Sequence, residues 1–284
     1  MYSKLSIGTA NFGLNYGINN IQPPSNNEIN KILNYSSKIG IINIDTAIGY
    51  KNSEKIKKSI SENWRITSKI PNLTKLNINI EKDLTKLIED HLLDLNQKKL
   101  HCLLLHNAED ILNFGDKLWN ILIYLKKNKI VNKIGYSVYS PTILNKLFFS
   151  YKPDVVQAPF NLFDRRLSNS NWLKKLNSEG IEIQIRSIFL QGLLLDKKIQ
   201  KEKFMKFDNH FLKYYNWLHE KKLTALEACI QFVKNYEIIN NYIIGVKNLS
   251  ELLLITECFA NNKKIEIPKY LKSEEYDLID PNYW

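Results

Sequence analysis

Ile41-Ile42-Asn43-Ile44-Asp45-Thr46-Ala47-Ile48-Gly49-Tyr50-Lys51-Asn52-Ser53-Glu54 is the stretch that decides how this chain folds. The apolar, β-branched run Ile41 to Ile44 predicts a short buried strand ending at Asp45. A loop then carries Tyr50, and a helix is expected from about Asn52. Packing alone does not explain a tyrosine so close behind an acid at a strand end. Two titratable groups placed there point to a shared site.

Similar endings recur down the chain. Trp64 to Ser68 runs into Lys69, and Leu100 to Leu105 runs into His106. Helical patterns lie between these runs. Five more strands are expected at Lys4–Thr9, Lys133–Val138, Asp154–Ala158, Glu182–Ser187 and Asn241–Val246. The helices expected between them include Asn27–Lys38, Ser53–Asn63, Lys117–Asn128, Ser170–Asn177, Ala225–Tyr236 and Ser250–Ala260. The clearest has Leu84, Leu87, Ile88, Leu92 and Leu95 on one side. A helix starting at Ser140-Pro141 fits a serine cap and a proline in the first turn. Alternating strands and helices predict a parallel sheet. Eight such units in a single domain of 284 residues predict an α/β fold, the (β/α)8 or TIM barrel. All strand C-termini would then meet on one face, bringing Asp45, Tyr50, Lys69 and His106 together. No Gly-rich dinucleotide fingerprint follows the first strand, which counts against a doubly wound cofactor domain.

Composition narrows the class. Hydrophobic residues make up 44%, enough for a large core, and the formal net charge is +11. The lysines are scattered among Asn and Ile and form no basic arm, so no nucleic-acid partner is expected. Positive potential does suit a phosphorylated cofactor or substrate. Cys102, Cys229 and Cys258 lack zinc-ligand or disulfide spacing and read as buried small hydrophobes, and no metal site is expected. No signal peptide and no apolar stretch of membrane-span length is visible, so a cytoplasmic protein with no membrane partner is expected. Nothing in the sequence bears on oligomeric state.

The ordered motifs resemble the aldo-keto reductases. They are Leu5-Ser6-Ile7-Gly8-Thr9-Ala10-Asn11-Phe12-Gly13, Asp45-Thr46-Ala47 with Tyr50 and Ser53-Glu54, Ser68-Lys69, and Leu105-His106-Asn107. Further along come Gly135-Tyr136-Ser137, Val156-Gln157 with Phe160-Asn161-Leu162, Arg186-Ser187 with Gln191-Gly192, and Ile244-Gly245-Val246-Lys247. The resemblance implies an oxidoreductase that reduces a small aldehyde or ketone, a sugar among the candidates, with NADPH preferred and NADH as the alternative. It implies Tyr50 as proton donor, Lys69 as its tuner, Asp45 as the lysine's partner and His106 as the group that orients substrate. The chemistry agrees: a phenol is a poor acid at neutral pH, and a nearby ammonium lowers its pKa.

The same resemblance implies a cofactor grip. Gly8 and Thr9 belong to it at the first strand. Ser137 and Gln157 would bond the carboxamide. Ser187, Leu190 and Gly192 would lie along the pyrophosphate, partly through backbone N–H groups. Lys247 would face the 2′-phosphate at a helix start, and Glu251 the adenine. Three positions depart from the pattern. Val138 stands where many relatives have Asn. Arg186 replaces an aromatic that stacks on the nicotinamide. Leu253 replaces an Arg after the strand-eight Lys. Tyr283 or Trp284 is expected to border the substrate.

Singly, each residue also has a bland reading: Asp45 as a cap, Tyr50 as packing, Lys69 as a surface charge, His106 as a loop histidine. Two rival functions remain at the level of sequence. One is a lyase using Lys69 as a Schiff-base nucleophile. The other is a non-catalytic, cofactor-binding subunit.

Overall fold

The computed structural model describes residues 2–15, 17–18, 22–76, 78–197 and 202–284. Eight strands close into a barrel in chain order: β1 (Leu5–Gly8), β2 (Asn43–Asp45), β3 (Arg65–Ile70), β4 (Leu100–Leu105), β5 (Val131–Ser137), β6 (Val155–Pro159), β7 (Glu182–Arg186) and β8 (Asn241–Gly245). Each strand pairs in parallel with the next, and β8 returns to β1. Strands covered on both faces cannot alternate polar and apolar residues, hence the continuous apolar runs. Gly135 marks where β5 and β6 approach closest: a Cβ there would lie 1.9 Å from Val155 O.

The helices wrap the barrel with caps written into the sequence. Asn79 Oδ1 accepts from Glu81 N and Lys82 N and starts Ile80–Asp94, which buries Ile80, Leu84, Ile88 and Leu92. Thr224 and Glu227 form a reciprocal capping box for Ala225–Lys234. Gly180, at φ +71°, ends the segment after Trp172–Ser178.

Several expected boundaries move, each for a local reason. The helix before β3 is only Ser53–Ile56. Its expected continuation holds Ser59, Ser61 and Asn63, residues that favour turns. The helix expected from Lys117 begins at Asp110 and runs to Lys127; Gly115, at φ +55°, kinks it and breaks its apolar period. Pro141 is the N-cap of Thr142–Leu147 instead of its first residue. Between β7 and Ala225 lies a helix not expected from the sequence, Asp208–Lys221, with Phe211, Tyr214, Trp217 and Leu218 buried on one face. The C-terminal tail forms short helical turns at Tyr276–Ile279 and Pro281–Tyr283. Cys102 and Cys229 are buried as expected, but Cys258 is only partly buried at the edge of its helix.

The barrel interior is not wholly apolar. A hydrogen-bonded column runs up it from Lys133, which pairs with Glu182 at 2.5 Å. Glu182 Oε1 accepts from Gln184 Nε2 at 2.9 Å, and Gln184 Oε1 accepts from Gln157 Nε2 at 3.2 Å. Gln157 Nε2 also donates to Asp45 Oδ2 at 2.7 Å. Buried polar groups must be partnered, and this column carries that pairing from the bottom of the barrel to the top of β2.

Candidate active site

The upper rim gathers the strand ends. Lys69 is 1% exposed, and its Nζ donates to Asp45 Oδ1 at 2.6 Å and to Thr46 O at 3.0 Å. A lysine so deep in a barrel needs a carboxylate, and both oxygens of Asp45 are engaged, by Lys69 and by Gln157. The same Nζ lies 5.4 Å from the centroid of the Tyr50 ring. Tyr50 meets His106 edge to face, with ring centroids 5.8 Å apart. The four residues predicted to converge do so.

The Tyr50 loop is clamped to the turn after β1. Asn52 Nδ2 donates to Thr9 O at 2.7 Å, and Lys55 Nζ donates to Phe12 O at 2.7 Å. Thr46 Oγ1 donates to Asn52 Oδ1 at 3.1 Å. Gly13 permits this contact, because a Cβ on it would stand 2.0 Å from Tyr50 O. Lys51, at φ +50°, turns the chain away directly after Tyr50.

The electrostatics differ from the sequence expectation in one respect. Burial and the Asp45 carboxylate raise the Tyr50 phenol above its usual range, and the cation that opposes them is Arg186. The Lys69 ammonium faces Tyr50, but it is ion-paired with Asp45. Tyr50 therefore keeps its proton at neutral pH. Burial, with Lys69 and Arg186, holds the His106 imidazole down at about 3, so that ring is neutral.

Two spaces meet at Tyr50 and His106. A cleft of about 210 Å³ is lined by Gly8, Asp45, Tyr50, Arg186, Ser187, Gly192, Lys247 and Glu251, among others. A larger cavity of about 660 Å³ includes His106, Ser137, Tyr139, Tyr276, Asp280 and Tyr283 in its wall. Tyr283 thus borders it, whereas Trp284 packs against Phe204, with centroids 5.2 Å apart. The tail is held by Arg166, which bonds Asp164 at 2.8 Å and reaches Asp280 at 3.6 Å.

The expected cofactor positions divide. Ser137 and Gln157 are register partners on adjacent strands. Ser137 Oγ and Gln157 Oε1 are buried and have no hydrogen-bond partner. One hydroxyl and one amide carbonyl, both open and adjacent, fit a ligand carboxamide. Ser187 and Gly192 line the cleft, and Lys247 stands exposed at its far end. Thr9 does not line it: the residue is fully buried, and its N–H and hydroxyl both donate to Asp45 O. Leu190 is core, and the N–H groups of Leu190 and Gly192 already donate to Ser187 O and Phe189 O. Those two N–H groups are not spare donors for a pyrophosphate. Glu251 Oε2 accepts from Lys247 N at 2.8 Å, and Glu28 Oε1 accepts from Leu249 N at 2.7 Å. The helix start expected to attract an anion thus carries two carboxylates. Leu253 is exposed on that helix.

Sequence reasoning missed Asn52, Gln184, Tyr139 and Glu28. Asn52 alone had a signal, since an Asn just before a helix start invites a closer look. Among the described residues there is no cluster of three or more potential metal ligands, and no helix is long and apolar enough to cross a membrane.

The fold is similar to several solved structures. An aldo-keto reductase from Bacillus halodurans in its holo form superposes with a TM-score of 0.76 at 14% identity, over 96% of this chain and 95% of that one. An aldo-keto reductase from a Medee basin deep-sea metagenome library gives 0.67 at 17%, over 98% and 94%. A variant of Gox0644 in complex with NADPH gives 0.64 at 17%, over 95% and 90%. A search of curated proteins finds no match. The family model described as "Aldo/keto reductase family" matches residues 4–273, and the chain belongs to that family of NAD(P)H-dependent oxidoreductases.

Proposed function

We propose that this chain reduces the carbonyl of a small polar aldehyde or ketone, such as a sugar, with NADPH, and that Tyr50 delivers the proton. The observation that carries this reading is Tyr50 itself, a protonated phenol edge-on to a neutral imidazole where the cleft and the cavity meet. The reduced nicotinamide supplies the hydride. Ser137 Oγ, in the larger cavity's wall, and Gln157 Oε1 beside it would hold its carboxamide, and Ser187 and Lys247 line the smaller cleft, where the rest of the cofactor would lie. The family and the NADPH bound by the Gox0644 variant support this cofactor.

The chain's own part is to bind, orient and protonate. His106 directs the substrate oxygen toward Tyr50. As negative charge develops on that oxygen it becomes a stronger base than a phenolate, so a phenol that holds its proton until then can donate it. Lys69 and Asp45 hold the floor beneath Tyr50, and the Arg186 cation favours the phenolate that forms. The cavity wall of Tyr139, Tyr276, Tyr283, Asn107 and Asn282 suits a hydroxylated substrate.

NADH is a second reading, favoured by one observation. Glu28 and Glu251 occupy the helix start that a 2′-phosphate would approach, and an acid there suits a free ribose hydroxyl. The lyase reading is disfavoured, since Lys69 is buried in an ion pair and lines neither space.

Titration of the protein with NADPH and NADH, followed by a carbonyl panel, tests the proposal. Saturable binding with turnover that disappears in Tyr50→Phe supports it. Failure to bind either cofactor overturns it.

A further inference from the structure

Arg186 ends β7 and stands in the wall of the smaller cleft beside Tyr50. Its guanidinium donates to Val138 O and to Ser187 Oγ, each at 3.3 Å, and lies 4.4 Å from the centroid of the Tyr139 ring. None of these partners is charged. Lys69, the other cation beneath Tyr50, is neutralised by Asp45. Among the described residues Arg186 has no carboxylate partner, and it acts on both Tyr50 and His106.

Its position relative to the two open atoms gives it a target. Val138, whose carbonyl it bonds, follows Ser137 directly, and Ser137 Oγ is open beside Gln157 Oε1. A carboxamide held by those atoms brings its ring close to the guanidinium. Arg186 lines the smaller cleft, while Ser137 and the Val138 and Tyr139 it touches line the larger cavity, so the guanidinium stands where the two spaces adjoin. A nicotinamide ring whose carboxamide reaches Ser137 and Gln157 lies beside that charge. An oxidised nicotinamide ring is a cation and a reduced one is neutral. A fixed positive charge in a partly desolvated site repels the first and leaves the second alone.

We propose that Arg186 makes the cleft discriminate between cofactor oxidation states, so that the reduced form is held and the oxidised form is released after turnover. This rests on the reading of the cleft as a nicotinamide site. The rival role for Arg186 is a pyrophosphate contact, which would favour both oxidation states equally, because both carry the same pyrophosphate.

The test is a pair of dissociation constants, for the oxidised and the reduced form of the same cofactor, read by fluorescence and by calorimetry. They are measured on wild type, Arg186→Met, Arg186→Gln and Arg186→Lys. Wild type should bind the reduced form more tightly. In Arg186→Met the ratio should fall by roughly tenfold, chiefly through tighter binding of the oxidised form. Arg186→Gln keeps a donor for Val138 O without the charge, should behave the same way, and carries the test if the Met variant does not fold. Arg186→Lys should retain most of the discrimination. An unchanged ratio in the uncharged variants overturns the proposal, as does equal weakening of both forms. If wild type binds neither form, the cofactor reading beneath it falls instead.

Discussion

The rim of this barrel has two arcs of opposite character. Along β2, β3 and β4, Asp45 and Lys69 satisfy one another, and every polar atom of that pair has a partner within the chain. Along β5 and β6, Ser137 Oγ and Gln157 Oε1 are buried with none. Gln157 belongs to both arcs: its amide nitrogen completes the Asp45 network while its carbonyl stays open. The closed arc is preorganised, so its geometry is fixed before any ligand arrives. The open arc bears a desolvation cost that a ligand's hydrogen bonds would remove. Under the proposed function, chemistry belongs to one side of the rim and recognition to the other.

The comparison predicts that variants of the two arcs fail differently. Tyr50→Phe should lower kcat by roughly 10²–10⁴-fold, the usual worth of a proton donor, and leave cofactor affinity within error. Near-normal turnover in that variant would remove Tyr50 from the mechanism. Lys69→Met should destabilise the free protein by about 3–5 kcal/mol in urea unfolding, because it strands a buried carboxylate. An apolar double replacement of Lys69 and Asp45 should recover most of that stability while staying inactive.

Gly13→Ala touches no substrate, yet its Cβ would collide with Tyr50 O. A shift of the Tyr50 loop by about 1 Å should cost on the order of 10²-fold in kcat with little change in cofactor affinity. The open arc should respond in the opposite sense. Ser137→Ala should leave the melting temperature of the free protein nearly unchanged and weaken cofactor binding by about tenfold or less, the worth of one hydrogen bond. If it destabilises the free protein as Lys69→Met does, the two arcs are not distinct.

The protein's stability also depends on pH. His91 is held at about 4 and His106 at about 3, both chiefly by burial and both below the unfolded value of 6.5. The unfolded chain therefore binds more protons than the native one below that value. The stability they confer is complete above about pH 6.5 and is lost as pH falls toward 4 and 3. Melting curves from pH 7 to pH 4 should show this decline, with a shallower slope in His106→Gln. The pH profile of kcat should show no His106 ionisation above pH 5.

Much of this was legible in the sequence because barrel strands are short apolar runs and their C-terminal residues share one face. Asp45, Lys69 and His106 each stand at or just beyond such an end, so register alone brings them together. The helix Asp208–Lys221 was legible in principle, since Phe211, Tyr214 and Leu218 keep helical spacing, but the exposed Leu212 and half-buried Tyr215 blur the contrast between its faces. Other features depend on neighbours distant in the chain. Gln184 reaches the site through Gln157, Glu28 meets Leu249, and Arg186 bonds Val138, all far apart in sequence. Local patterns encode an element and its ends. They do not encode which buried atom goes without a partner.

The C-terminal turns place Tyr276, Asp280, Asn282 and Tyr283 on the wall of the larger cavity, and the Arg166 clasp on Asp280 ties them to the barrel. Under the proposed function, choice of substrate and chemistry are then separable parts. A foreign tail grafted after the Leu249–Ala260 helix that keeps Asp280 would re-dress the cavity while Tyr50 and His106 stay where they are, which makes this segment the place to alter that cavity's specificity.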